Sequence, residues 1–156
     1  MTVTKVVKEE EPNLETLTWG ALTWVNILGP TKQETGYLAQ HFPFHPLNLD
    51  DVLSRIQRPK IDEYKDHLFI VLHFPVYSKV SQAMTSSEMD IFIGENYVVT
   101  IDCAGNLKTL DKFFRLCQID EEARRENFSQ GSGYLLYRII DRMVDYYFPI
   151  LDKIGK

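Results

Sequence analysis

The spacing of apolar residues changes once along this chain, and that change constrains the fold more than any other feature. Through residue 101 the apolar positions mostly alternate in short runs, broken by Gly, Pro and Asn; from Asn106 they recur every three or four residues. Leu14, Leu17 and Trp19 open an alternating run that Gly20 breaks, and residues 21–28 alternate again up to Gly29-Pro30. Residues 60–64 and 67–76 pattern as two strands around a polar turn at Lys65-Asp66. Residues 78–87 read as a polar loop, and 88–93 with 97–101 as a second hairpin about Gly94-Glu95-Asn96. Two short helices interrupt the strands. Thr31 with Glu34 forms a capping-box signature ahead of Tyr37, Leu38 and His41-Phe42, and residues 47–56 return to helical spacing after Pro43 and Pro46.

In the final third, Leu107, Leu110, Phe113, Phe114 and Cys117 mark one helix, residues 121–128 a charged second one, and Gly131-Ser132-Gly133 a break. The stripe Leu136, Ile140, Met143, Tyr147, Ile150 or Leu151, and Ile154 predicts the longest helix, still running near Lys156 and expected to continue beyond it. Strands in hairpins followed by helices imply an α/β or α+β class, with helices layered on a sheet.

A chain of 156 residues can bury about two-thirds of its unfolded surface, so it needs no metal or disulfide merely to fold. Its 17 basic and 22 acidic residues leave a net charge of -5, which argues against nucleic acid and for cations as partners. Charged residues up to Glu11 replace any apolar signal core, and no run of about 20 apolar residues occurs. Cys103 and Cys117 have no C-x-x-C spacing and are expected as reduced thiols.

Candidate chemistry is sparse. His41 and His45 are four apart, but Pro43 between them opposes a shared helical face, and His45 before Pro46 suits a helix entrance. His67 and His73 share one face of an extended run and fit core or edge positions. No nucleophile elbow, phosphate loop or zinc-protease motif is present, so the pattern does not describe an enzyme. The informative groups are acidic: Asp50-Asp51 in the second short helix, and Asp141 with Asp145 four apart on the long one. Like charges at that spacing repel, and either Arg138 and Arg142 or a hard divalent cation would compensate them. The aromatic density of Tyr134, Tyr137, Tyr146, Tyr147 and Phe148 points to packing, and Arg55, Arg58 and Lys60 to a solvated edge or to ion-pair partners.

Taken together, the string from His45 to Leu53 (HPLNLDDVL), the following Gln57-Arg58-Pro59-Lys60 and the run Leu68-Phe69-Ile70-Val71-Leu72 resemble the cytoplasmic N-terminal domain of CorA-type magnesium/cobalt transporters. Thr23-Trp24-Val25-Asn26-Ile27, Tyr134-Leu135-Leu136-Tyr137, Ile140-Asp141 and Val144-Asp145-Tyr146-Tyr147 agree with it. The resemblance implies a three-layer α/β/α sandwich with a mixed, largely antiparallel sheet, leading into a long C-terminal stalk helix. Residues 1–13 would be a flexible tail, 14–130 the α/β domain, and 131–156 the start of the helix toward a membrane part with two spans and a Gly-Met-Asn pore motif.

In such transporters an acidic pair in the His-Pro-Leu segment faces the neighbouring protomer of a pentamer and binds regulatory cations. Asp50 and Asp51 stand at those positions, and Asp141 matches a further acidic position. Glu is frequent where Asp50 stands, so the shorter Asp50 makes Asp51 the expected main contact, with the principal partner carboxylate in the stalk beyond Lys156. The implied ion is Mg²⁺, or Co²⁺, closing the assembly from the cytoplasmic face of the membrane. The fragment alone is expected to bind Mg²⁺ weakly, on the order of millimolar, and to be a monomer or weak dimer. The alternatives are the related zinc-transporter branch and a free-standing interaction domain of the same fold.

Overall fold

The computed structural model describes residues 11–54 and 57–149. The chain first doubles back at Gly20, whose φ of 57° suits a residue without Cβ, so that β1 (Leu14–Trp19) pairs antiparallel with β2 (Leu22–Leu28). Thr31 then caps α1 (Lys32–His41) with the reciprocal capping box its spacing predicts, its N–H donating to Glu34 Oε1 at 2.9 Å. Glu34 also accepts from the Asn13 N–H at 3.2 Å, which pins the end of the expected tail. Residues 1–10 of that tail lie outside the described residues.

The second short helix, α2 (Pro46–Leu53), begins on Pro46 and ends at Leu53; Arg55 and Ile56 lie outside the described residues. Pro at the first position loses no hydrogen bond there, and the His45 imidazole caps the helix by accepting from the Leu47 N–H at 3.1 Å. The remaining strands are β3 (Lys60–Glu63), β4 (His67–Ser78), β5 (Ala83–Gly94) and β6 (Tyr97–Asp102). The loop expected over 78–87 is therefore mostly strand: Ser78 pairs with Ala83, and Pro75 with Ser86. Beyond Ser87 the β4–β5 ribbon has no third strand beside it. Along residues 83–86 of β5 the side chains then mostly meet solvent, and the alternation that marks a half-buried strand has no cause to appear.

The sheet order is β1-β2-β6-β5-β4-β3, antiparallel throughout except where β2 and β6 run parallel in its middle. After β6, the Asp102 carboxylate accepts from the N–H groups of Gly105, Asn106 and Leu107 at 2.9–3.2 Å and turns the chain into α3 (Lys108–Ile119). Asp120 caps α4 (Glu121–Phe128) through the Glu122 and Ala123 N–H groups, and Gly131 leads into α5 (Ser132–Tyr147). The Ser132 hydroxyl donates to the Gly94 carbonyl at 2.6 Å, fixing the start of α5 against the β5–β6 turn. Gly94 leaves room for the Tyr97 ring, which a Cβ there would displace. The stripe positions Ile150, Leu151 and Ile154 lie outside the described residues.

Two cores flank the sheet. Leu22, Trp24, Met89, Ile91 and Val98 pack under Phe113, Phe114, Phe128, Leu135, Ile139 and Met143 of α3–α5. On the opposite face Val25, Ile27, Phe69, Val71, Phe92 and Val99 pack under Leu38, Phe44, Leu49 and Val52 of the α1–α2 segment. The result is the expected α/β/α sandwich with a mixed, largely antiparallel sheet. Trp24 keys the first core: its ring contacts Phe113 and Phe114 with centroids 5.6 and 5.0 Å away, and its N–H donates to Thr100 Oγ1 across the parallel pair at 2.8 Å.

Candidate functional site

The acidic pair owes its position to what α2 buries. Leu49 and Val52 face the sheet, and the buried Asn48 amide donates to Tyr64 Oη at 2.7 Å, so the helix cannot roll. Asp50 therefore lies on the outward face with Leu47 and Leu53, whose apolar side chains are 66% and 38% exposed. Asp51, half-buried, turns toward β3, where Lys60 Nζ meets its Oδ2 at 2.7 Å and Asp62 Oδ2 at 3.2 Å. The hydrogen bond to Asp51 holds the Lys60 amine above its ordinary range, so the ammonium stays charged. Lys60 is thus the ion-pair partner its place in the basic group predicts, and it occupies the carboxylate expected to contact a metal.

Asp141 is not brought to that pair. It projects from α5, in the layer on the other side of the sheet from α2, so one chain cannot join Asp141 with Asp50 and Asp51 at one ion. The arginines expected to compensate Asp141 and Asp145 are engaged elsewhere. Arg138 Nε donates to Asn127 Oδ1 at 3.1 Å, and the Arg142 guanidinium lies 4.4 Å from the Phe113 ring centroid. Among the described residues no ion pair within 4.0 Å includes Asp141 or Asp145. The outward face of α5 carries Tyr137 and Val144 on either side of Asp141, both exposed.

The histidines take structural places. His67 is buried, stacks on Tyr64 at 4.8 Å and bonds Asp66 through Nδ1, while His73 bridges Ser86 Oγ and the Gln57 carbonyl. His41 ends α1 and His45 caps α2.

One cluster escaped the sequence reading. Glu88 and Asp90, two apart on β5, and Cys103, just past β6, converge beneath the C-terminal end of α2, with one donor atom from each all within 4.8 Å of one another. Cys103 Sγ lies 3.5 Å from Glu88 Oε2 and 3.4 Å from Asp90 Oδ2, and the Gln57 N–H donates to Glu88 Oε1 at 2.6 Å. Burial and the adjoining Glu88 push the Asp90 carboxyl well above the carboxylate range, with Asp51 adding repulsion; burial and both acids raise the Cys103 thiol. The available signal was two acids at strand spacing among Met89, Ile91 and Phe92, a core pattern that polar residues interrupt only at a cost.

Residues 19–156 match the family described as CorA-like Mg2+ transporter protein. The chain belongs to that family. It is 32% identical over 139 residues to the cobalt/magnesium transport protein CorA of Thermotoga maritima, covering 85% of this chain and 37% of that protein. Identity to the YfjQ protein of Bacillus subtilis is also 32%, over 96% of this chain and 42% of that protein. The chain thus spans less than half the length of these two relatives. Among solved structures, the soluble domain of CorA from Methanocaldococcus jannaschii superposes with a TM-score of 0.71 at 23% identity, covering 86% of this chain and 52% of that one. The ZntB cytoplasmic domain from Vibrio parahaemolyticus gives 0.65 at 14%, covering 98% and 56%; both likenesses establish the fold. Among the described residues of this CorA-like chain, no helix is long and apolar enough to cross a membrane.

Proposed function

We propose that the chain is the cytoplasmic, cation-sensing part of a CorA-like transporter of divalent cations. Its α2 surface at Asp50 and Asp51 would meet a neighbouring subunit, Asp141 serving as a further acid at the same kind of contact. The carrying observation is the Asp51–Lys60 pair beside the outward Leu47, Asp50 and Leu53. In one chain the ammonium neutralises Asp51, so Mg²⁺ binds strongly only where a neighbour adds carboxylate charge. A crowded acidic contact then repels without the ion and closes with it, which is how cation concentration would select between two assemblies.

Calorimetric titration of the chain with Mg²⁺ tests this. Binding is weak, on the order of millimolar, because one surface offers few ligands. Asp51→Asn removes it, and Lys60→Met tightens it about fivefold by deleting the ammonium charge that stands 2.7 Å from Asp51 Oδ2. Unchanged affinity in both variants would sink the assignment, as would a full-length transporter with Asp51→Ala that still closes at its usual Mg²⁺ concentration. The ZntB likeness supports a second reading, in which the same face answers Zn²⁺; competition between the two ions at Asp51 separates them.

A further inference from the structure

We infer that Glu88, Asp90 and Cys103 form a second cation site, for a first-row transition ion of the Zn²⁺ or Co²⁺ class, within the layer between the sheet and α2. The site is distinct from the Asp50–Asp51 face and stands whether or not that face senses Mg²⁺. Three observations carry it. The donor set is a thiol and two carboxylates, a mixture that favours borderline transition ions over Mg²⁺, which takes oxygen and water. The two sulfur–oxygen spacings are those of a coordination edge: a tetrahedral ion about 2.3 Å from sulfur and about 2.0 Å from oxygen separates those atoms by roughly 3.5 Å. The distances from Cys103 Sγ to the two carboxylates are 3.5 and 3.4 Å. Finally, Asp90 is 0% exposed and its Oδ1 has no hydrogen-bond partner, an uncommon state for a buried oxygen and one that a cation would relieve.

The surroundings favour holding an ion once bound. Gln57 N–H fixes Glu88, and His73, 3.8 Å from Glu88 Oε1 through Nε2, is itself held by the Gln57 carbonyl and Ser86. Such outer contacts orient metal ligands. Cys103 is only half-buried and gives the entry side, and three protein ligands leave a fourth position for water. Binding breaks the Cys103 S–H bond and the Asp90 O–H bond, both protons leaving to solvent and the freed sulfur and oxygen electron pairs going to the ion.

The test is titration of the reduced chain with Co²⁺ in the absence of oxygen. The expected result is a thiolate-to-cobalt charge-transfer band in the near ultraviolet that saturates at one equivalent. Zn²⁺ should abolish it, and a large excess of Mg²⁺ should leave it unchanged. Cys103→Ser and the isosteric Asp90→Asn should lose the band, while Asp51→Asn keeps it, which separates this site from the α2 face. A band that survives Cys103→Ser belongs to Cys117 and overturns the proposal, as does a band unaffected by Asp90→Asn. Folding of the variants is bypassed by a second measurement on the unaltered chain. Zn²⁺ should slow modification of Cys103 by a thiol reagent at least tenfold, read by peptide mapping, and Mg²⁺ should not. An unchanged rate with Zn²⁺ means that the orphan Asp90 oxygen carries a proton only, and the site is refuted.

Discussion

Arg115 and Glu15 illustrate how single residues join the layers of this molecule. Their bidentate pair ties the first strand to α3, and the Arg115 hydrogen bond holds the Glu15 carboxyl below its usual range. A depressed carboxylate contributes stability above its unfolded pKa and loses it as the pH falls through the lower folded value. Both side chains are more than a third exposed, so screening reduces the pair to about 0.5 kcal/mol. In urea unfolding, Glu15→Gln should therefore be less stable than the parent by that amount at pH 7. The difference should vanish in acid, where both chains are uncharged at this position. A gap that persists in acid would show that packing, not charge, is involved. The Asp51–Lys60 pair has a different consequence, because its charge is balanced on a surface where a competing cation can arrive.

At the scale of elements, α2 is held by two local devices, Pro46 at its first position and His45 as cap, and by one contact across the fold, Asn48 bonded to Tyr64. His45→Ala should cost about 1 kcal/mol by thermal melting, and His45→Asn, a strong capping residue, should restore most of it. Equal losses in both variants would mean that the ring acts through its parallel contact with Tyr64, centroids 6.2 Å apart, and not through the Leu47 amide. This helix was readable in the sequence because proline, cap and apolar spacing agree within a few residues. The Thr31–Glu34 box of α1 was legible for the same reason, as was the alternation of β2. The outer half of the β4–β5 ribbon was not: residues such as Thr85 and Ser86 pair along the backbone while their side chains stay wet, and backbone pairing leaves no trace in side-chain pattern. The acidic pair on α2 could be named from its motif, but its neutralisation by Lys60 depends on a strand nine residues away, a contact that only the folded register creates. Glu88, Asp90 and Cys103 were hidden likewise, since they come from β5 and from the residue after β6 and meet only through the pairing of those strands.

For the whole molecule, the sheet stands between the two acidic surfaces. An ion that used Asp51 and Asp141 together would need two chains, with the α2 face of one meeting the α5 face of another. Exposed apolar groups occur on both faces, Leu47 and Leu53 on α2, Tyr137 and Val144 on α5, but as scattered positions around charges. Light scattering at about 10 μM should accordingly show a monomer or a weak dimer; a stable pentamer of this chain alone would overturn that expectation, since the surfaces here would then suffice without further segments. The parallel pairing of β2 with β6 has one more effect, on how the polypeptide is made. Trp24 leaves the ribosome early, yet the rings that cover it, Phe113, Phe114 and Phe128, are translated only after all six strands. Throughout the intervening synthesis that indole faces water or a chaperone, and the nascent chain passes its most aggregation-exposed interval before residue 128 emerges.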